Sequence, residues 1–172
     1  MKIYRCRICG EPYLGRIKPP NCPFCGTEGK YMVLARNWKE DMISTLTDVS
    51  EKNLKTALRF EIDKSGFYRC AARVAADEEV KAMFSAISRI EAGHASTVRR
   101  MLGLPRSSRF EHEGRCYPTD AQNLQEALRR EELAVSLYEQ AAKQASEKRV
   151  REVLLALTEV ESDHLALTSR KR

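Results

Sequence analysis

"EIDKSGFYRCAARVAADEEVKAMFSAISRIEAGH" (residues 61–94) has a near-copy in "EELAVSLYEQAAKQASEKRVREVLLALTEVESDH" (residues 131–164). At an offset of 70 positions, without a gap, Glu61 falls on Glu131, Tyr68 on Tyr138 and Ala71-Ala72 on Ala141-Ala142. Val80 then falls on Val150, Glu91 on Glu161 and His94 on His164. Self-similarity at a fixed spacing marks a duplicated structural unit. Here the unit is a helical hairpin, because apolar residues recur at i, i+3, i+4 and i+7 along both arms of each copy. The pattern predicts helices over about 50–76, 77–102, 120–146 and 147–170.

Between the second and third segments lies "GLPRSSRFEHEGRCYPTD" (residues 103–120), where Gly103, Pro105, Gly114 and Pro118 interrupt any helix. Thr119 or Asp120 is placed to cap the third helix, Asp77 the second and Ser146 the fourth. Four helices joined by one long middle connection describe a four-helix bundle of the crossover type. The fold class is mainly α, a bundle with a small module in front of it.

Each inward stripe carries a glutamate. The first helix offers Leu54, Ala57, Leu58, Glu61, Tyr68, Ala71 and Ala72, and the second Val80, Phe84, Ile87, Glu91, His94 and Val98. The third repeats this with Leu124, Ala127, Leu128, Glu131, Ala134 and Tyr138, the fourth with Val150, Leu154, Leu157, Glu161 and His164. Glu61 and Glu91 are equidistant from residue 76, as Glu131 and Glu161 are from residue 146, so each hairpin sets one glutamate opposite a Glu-x-x-His pair. Spacing of i, i+3 puts Glu91 with His94, and Glu161 with His164, on one face. Four buried carboxylates cannot stay charged without cations, because desolvation costs several kcal/mol per ion. Two divalent ions would cancel them. One Glu from each of two helices plus Glu-x-x-His from each of the others is the dinuclear carboxylate pattern, suited to two Fe or to Fe with Mn. Tyr68 and Tyr138 lie on the same faces, with hydroxyls in reach of ligand carboxylates. Glu139, Glu152 and Glu159 have no mate in the repeat and read as solvated surface. Cys70 and Cys116 read as ordinary thiols, and His112 as an exposed residue.

The first 26 residues contain "CRIC" and "CPFC", each followed by glycine, with twelve residues between the clips. Cys6, Cys9, Cys22 and Cys25 can supply four thiolates to one tetrahedral Fe or Zn. Residues 1–36 are expected to form this module, 37–49 a linker and 50–172 the bundle. Paired clips, no apolar leader in "MKIYRCR" and no run long enough for a bilayer point to a reducing cytoplasm. The chain's net charge is +6, and residues 1–40 hold eight Lys or Arg against three Glu. With Tyr4, Tyr13 and Phe24 for stacking, that excess suggests nucleic acid as a partner. This reading leaves the inward carboxylates unexplained and ranks last.

Over nearly its full length the chain resembles the rubrerythrin family in its reversed order. "CRICGEPYLGRIKPPNCPFCG" is similar to the family's rubredoxin-like module, and the two E-x6-Y…E-x2-H repeats to its ferritin-like bundle. The resemblance implies a cytoplasmic peroxide reductase. Electrons from a redox donor protein would enter at an iron held by the four cysteines and pass to two irons held by Glu61, Glu91, His94, Glu131, Glu161 and His164. It also implies head-to-tail dimers, in which one subunit's module lies near the other's bundle site. Two departures stand out. Peroxide-reducing relatives usually carry a further glutamate three residues after the third-helix ligand. Ala134 is there, with Lys64 as its repeat mate, so the site reads as symmetric with six ligands, and oxygen stands beside hydrogen peroxide as an oxidant. The module is basic where rubredoxins are usually acidic, which keeps a structural zinc and an iron-storage function as the alternative.

Overall fold

The computed structural model describes residues 1–39, 43, 45–105 and 114–171; His112 lies outside them. Three short strands open the chain: β1 (Lys2–Cys6), β2 (Pro12–Gly15) and β3 (Met32–Leu34). They pair antiparallel in the order β2-β1-β3, with Tyr4 opposite both Tyr13 and Leu34. Four helices follow: α1 (Asp48–Val74), α2 (Glu78–Met101), α3 (Asp120–Gln144) and α4 (Lys148–Ser169). They pack as two antiparallel hairpins, α1 with α2 and α3 with α4, and α1 lies against α3. Among the described residues, no helix is long and apolar enough to cross a membrane.

Local chemistry sets the helix starts. The Thr47 hydroxyl accepts from the Ser50 amide, the Asp77 carboxylate from Glu79 and Val80, and the Thr119 hydroxyl from Gln122. Each satisfies an amide that the first helical turn leaves unpaired. Ser146 does not cap α4. Glu147 takes that position, and its carboxylate turns across the bundle to the Thr47 amide and Ser50 hydroxyl, at 2.6 and 2.5 Å. One side chain therefore ties the start of α4 to the start of α1.

Cys70 and Cys116 form a disulfide, rather than the two ordinary thiols expected from the sequence. Just before α3, Gly114 packs on the backbone of Gly66 in α1. Cys70 lies one helical turn beyond Gly66, so the same close approach that seats Gly114 brings Cys116 to Cys70.

The cysteine module and the bundle share one apolar core. Tyr4, Cys6, Ile8 and Met32 are buried in the same cluster as Ala95, Val98, Val150, Val153 and Leu157. Polar contacts surround that seam. Arg149 donates to the carbonyls of Arg7 and Ile8, and Arg100 to that of Cys9. Arg7 pairs with Glu152 at 3.2 Å and Lys30 with Glu159 at 2.6 Å. Glu152 and Glu159 are thus not idle surface: they receive part of the module's positive charge. The module rests on its own chain's bundle.

Candidate metal centres

The four cysteines of the module are buried and their sulfurs form one cluster. The Cys6 and Cys25 sulfurs are 3.8 Å apart, and those of Cys9 and Cys22 are 3.7 Å apart. A tetrahedron with metal–sulfur bonds of about 2.3 Å has edges of about 3.8 Å. The residues therefore fit a single Fe or Zn. Gly10 and Gly26, both at φ 73°, make the turns after each clip. The Ile8 amide donates to the Cys6 sulfur at 3.3 Å. Thr27, fully buried, places its hydroxyl 3.2 Å from the Cys25 sulfur and 3.6 Å from that of Cys6. Hydrogen bonds to thiolate favour the more negative, reduced state of an iron centre. Thr27→Val keeps the shape and removes the donor. With iron bound, voltammetry is expected to show a potential lower by roughly 40 mV, the one-electron equivalent of about 1 kcal/mol.

The second centre lies at mid-bundle, one ligand-bearing stretch from each helix. Glu61, Glu91, Glu131, Glu161 and His94 are fully buried and His164 is 5% exposed. Their ligand atoms fall into two overlapping groups, each within 4.8 Å: Glu61, Glu91, His94 and Glu161, and Glu91, Glu131, Glu161 and His164. Glu91 and Glu161 belong to both groups, so these two stand between the positions.

Both imidazoles turn Nδ1 inward. His94 Nδ1 is 3.0 Å from Glu91 and 3.2 Å from Glu161, while His164 Nδ1 is 3.1 Å from Glu91 and 3.3 Å from Glu161. His94 Nε2 lies 2.9 Å from the carbonyl oxygen of Cys25. That acceptor fixes the proton on Nε2 and leaves the Nδ1 lone pair for a metal. The tyrosines cross between hairpins: Tyr68 donates to Glu131 and Tyr138 to Glu61. Each hydroxyl occupies Oε1 of its glutamate and turns Oε2 toward the interior. Glu61 Oε2 is buried without a hydrogen-bond partner, whereas Glu91 Oε1 meets Lys64 and His164, Glu131 Oε2 meets Lys64 and Glu161 Oε1 meets His94, at 2.7 to 3.2 Å. Buried polar atoms rarely lack partners, so the bare Glu61 oxygen fits cation binding.

Lys64 breaks the symmetry expected from the repeat. Its side chain is fully buried, and its Nζ lies 3.0 Å from Glu91, 2.7 Å from Glu131 and 2.5 Å from Glu161. Burial works against its charge, but Glu131, Glu161 and Glu91 hold its pKa above the ordinary lysine value. Glu61, farther from the ammonium, is raised to about 8 by burial and by Glu91 and Glu161. Burial also opposes ionisation of Glu161, yet Lys64 and the two imidazoles hold it below the usual carboxylate range. His164 is raised to about 10 against burial by Glu161 and Glu91, so metal binding at its Nδ1 must displace a proton. The sequence did carry a signal for Lys64. It stands three residues after Glu61 and four before Tyr68, on the inward stripe of α1.

A family model described as rubrerythrin matches residues 52–166. The chain belongs to the rubrerythrin family. Within the curated proteins, Reverse rubrerythrin-1 of Clostridium acetobutylicum is 30% identical over 114 residues, covering 60% of this chain and 63% of that protein. The match thus spans less than two thirds of that relative. No solved structure matches. As a family member the chain combines a four-cysteine cluster with a Glu/His cluster of the kind that serves a di-iron oxidoreductase.

Proposed function

We propose that this protein is a rubrerythrin-type oxidoreductase that reduces hydrogen peroxide to water at its carboxylate–histidine centre, using electrons relayed by iron in the cysteine module. The observation that carries this reading is the 2.9 Å hydrogen bond between His94 Nε2 and the Cys25 carbonyl. It links a candidate ligand of one centre directly to a candidate ligand of the other, within a single chain. Ferrous ions at both centres would supply one electron each, and peroxide takes two electrons and two protons to give two waters. The chain's own residues prepare the site for that chemistry. Glu61, Glu91, Glu131, Glu161, His94 and His164 supply the donor set. Tyr68 and Tyr138 orient two of the carboxylates, and burial keeps bulk water from the reacting atoms. The Arg7–Glu152 and Lys30–Glu159 pairs hold the module in register with α4.

An anaerobic peroxide titration of the iron-loaded, reduced protein tests the reading. Colour of the ferric thiolate centre should return in step with peroxide consumed. A colourless module holding zinc, with the bundle oxidising alone, would overturn the relay and leave an iron-binding protein with a structural zinc ribbon.

A further inference from the structure

We propose that the bundle binds one metal ion, between Glu61, Glu91, His94 and Glu161, and that the Lys64 ammonium takes the second cation position among Glu91, Glu131 and Glu161. This deepens the function proposed above and rests on it. Three of the four residues in the second ligand group are already in contact with Lys64 Nζ, at 2.5 to 3.0 Å. A metal bound there would need its oxygens at about 2.0–2.2 Å, and no room remains for it beside a nitrogen at hydrogen-bond distance from the same oxygens. The first group is different. Glu61 Oε2 has no hydrogen-bond partner, and Lys64 makes no ion pair with Glu61 among the described contacts.

Charge is compatible with this. Four carboxylates against one ammonium leave three negative charges, which one trivalent ion cancels and one divalent ion reduces to a single negative charge. Two divalent ions beside the ammonium would leave a single positive charge, so for divalent ions the contacts of Lys64 decide. Lys64 reaches the centre from α1, while its repeat mate on α3, Ala134, is fully buried and brings no charge. The duplicated hairpins therefore hold unlike cations, a metal near the cysteine module through His94 and an ammonium on the His164 side.

Manganese(II) is the probe, because carboxylate and imidazole accept it while a thiolate site favours softer ions. Crystals of the wild-type chain and of Lys64→Ala, grown with manganese(II), would be compared by anomalous diffraction at the manganese edge. The expected result is one peak in the wild-type bundle, beside Glu61 and His94, and two in the variant. The number of tightly bound manganese ions in solution should likewise rise from one to two. Lys64→Met, which fills the space without charge, provides a second variant if the alanine protein folds poorly; it should not gain the second ion. Two bundle peaks in the wild-type protein would overturn the inference and leave the proposed oxidoreductase standing. No bundle peak, with iron(II) also failing to bind there, would overturn both.

Discussion

Glu161→Ala is expected to empty the bundle centre of metal and to destabilise the metal-free protein. With Glu91, Glu161 is one of the two shared carboxylates: it meets Lys64 at 2.5 Å, His94 at 3.2 Å and His164 at 3.3 Å, and it belongs to both ligand groups. Changes to residues that merely support ligands weaken metal binding about 10–100-fold, so losing this ligand should cost at least about 100-fold. Breaking a buried ionic cluster by removing one partner costs about 3–5 kcal/mol. Metal titrations read the first effect, with the metal of the cysteine module unchanged as internal control, and urea melts of the apo-protein the second. Metal affinity within a few-fold of wild type would mean that Glu161 is not a ligand.

Gly93→Leu should separate the two centres while leaving both able to bind metal. Gly93 faces the module, and a Cβ there would lie 2.7 Å from the Phe24 carbonyl oxygen. Backbone must move, and the next residue, Cys25, carries the carbonyl that meets His94. A displacement of about 1 Å at such a contact can cost on the order of 100-fold in rate. Stopped-flow recording of ferric thiolate formation after peroxide addition should show that loss. Metal content of both sites should stay at wild-type levels. An unchanged transfer rate in a variant with displaced Cys25 would remove the His94 contact from the electron path.

Much of this architecture was legible in the sequence because its signals are periodic. The 70-residue repeat and the inward stripes located all four helices, the six candidate ligands and the two tyrosines that bond them. Asp77 and Thr119 were readable as caps because capping is decided within three residues. The misreadings share a cause in long-range geometry. Ser146 loses its capping role because Glu147 is engaged with Thr47, 100 residues earlier in the chain. The Cys70–Cys116 bridge depends on the path of a connection that carries no periodicity. Glu152 and Glu159 looked solvated until the module was docked on α4. Lys64 is a different case. Its face was readable, but it entered the sequence reading only as the repeat mate of Ala134, where a glutamate is missing, and a buried lysine needs three-dimensional partners before its charge makes sense.

In the proposed oxidoreductase, the depth of the bundle centre would also act as a sieve. Five of its six candidate ligands have no accessible surface, and the sixth, His164, is 5% exposed. A molecule that reaches the metal must pass through transient gaps between packed helices, since protein interiors leave few voids larger than a water molecule. Dioxygen and hydrogen peroxide, with two heavy atoms each, are of that size. Organic hydroperoxides with alkyl or aryl tails are not, and they would be turned away before any chemistry could distinguish them. The helix packing around His164 would then set the oxidant range of this protein by dimension, ahead of any preference expressed by its ligands.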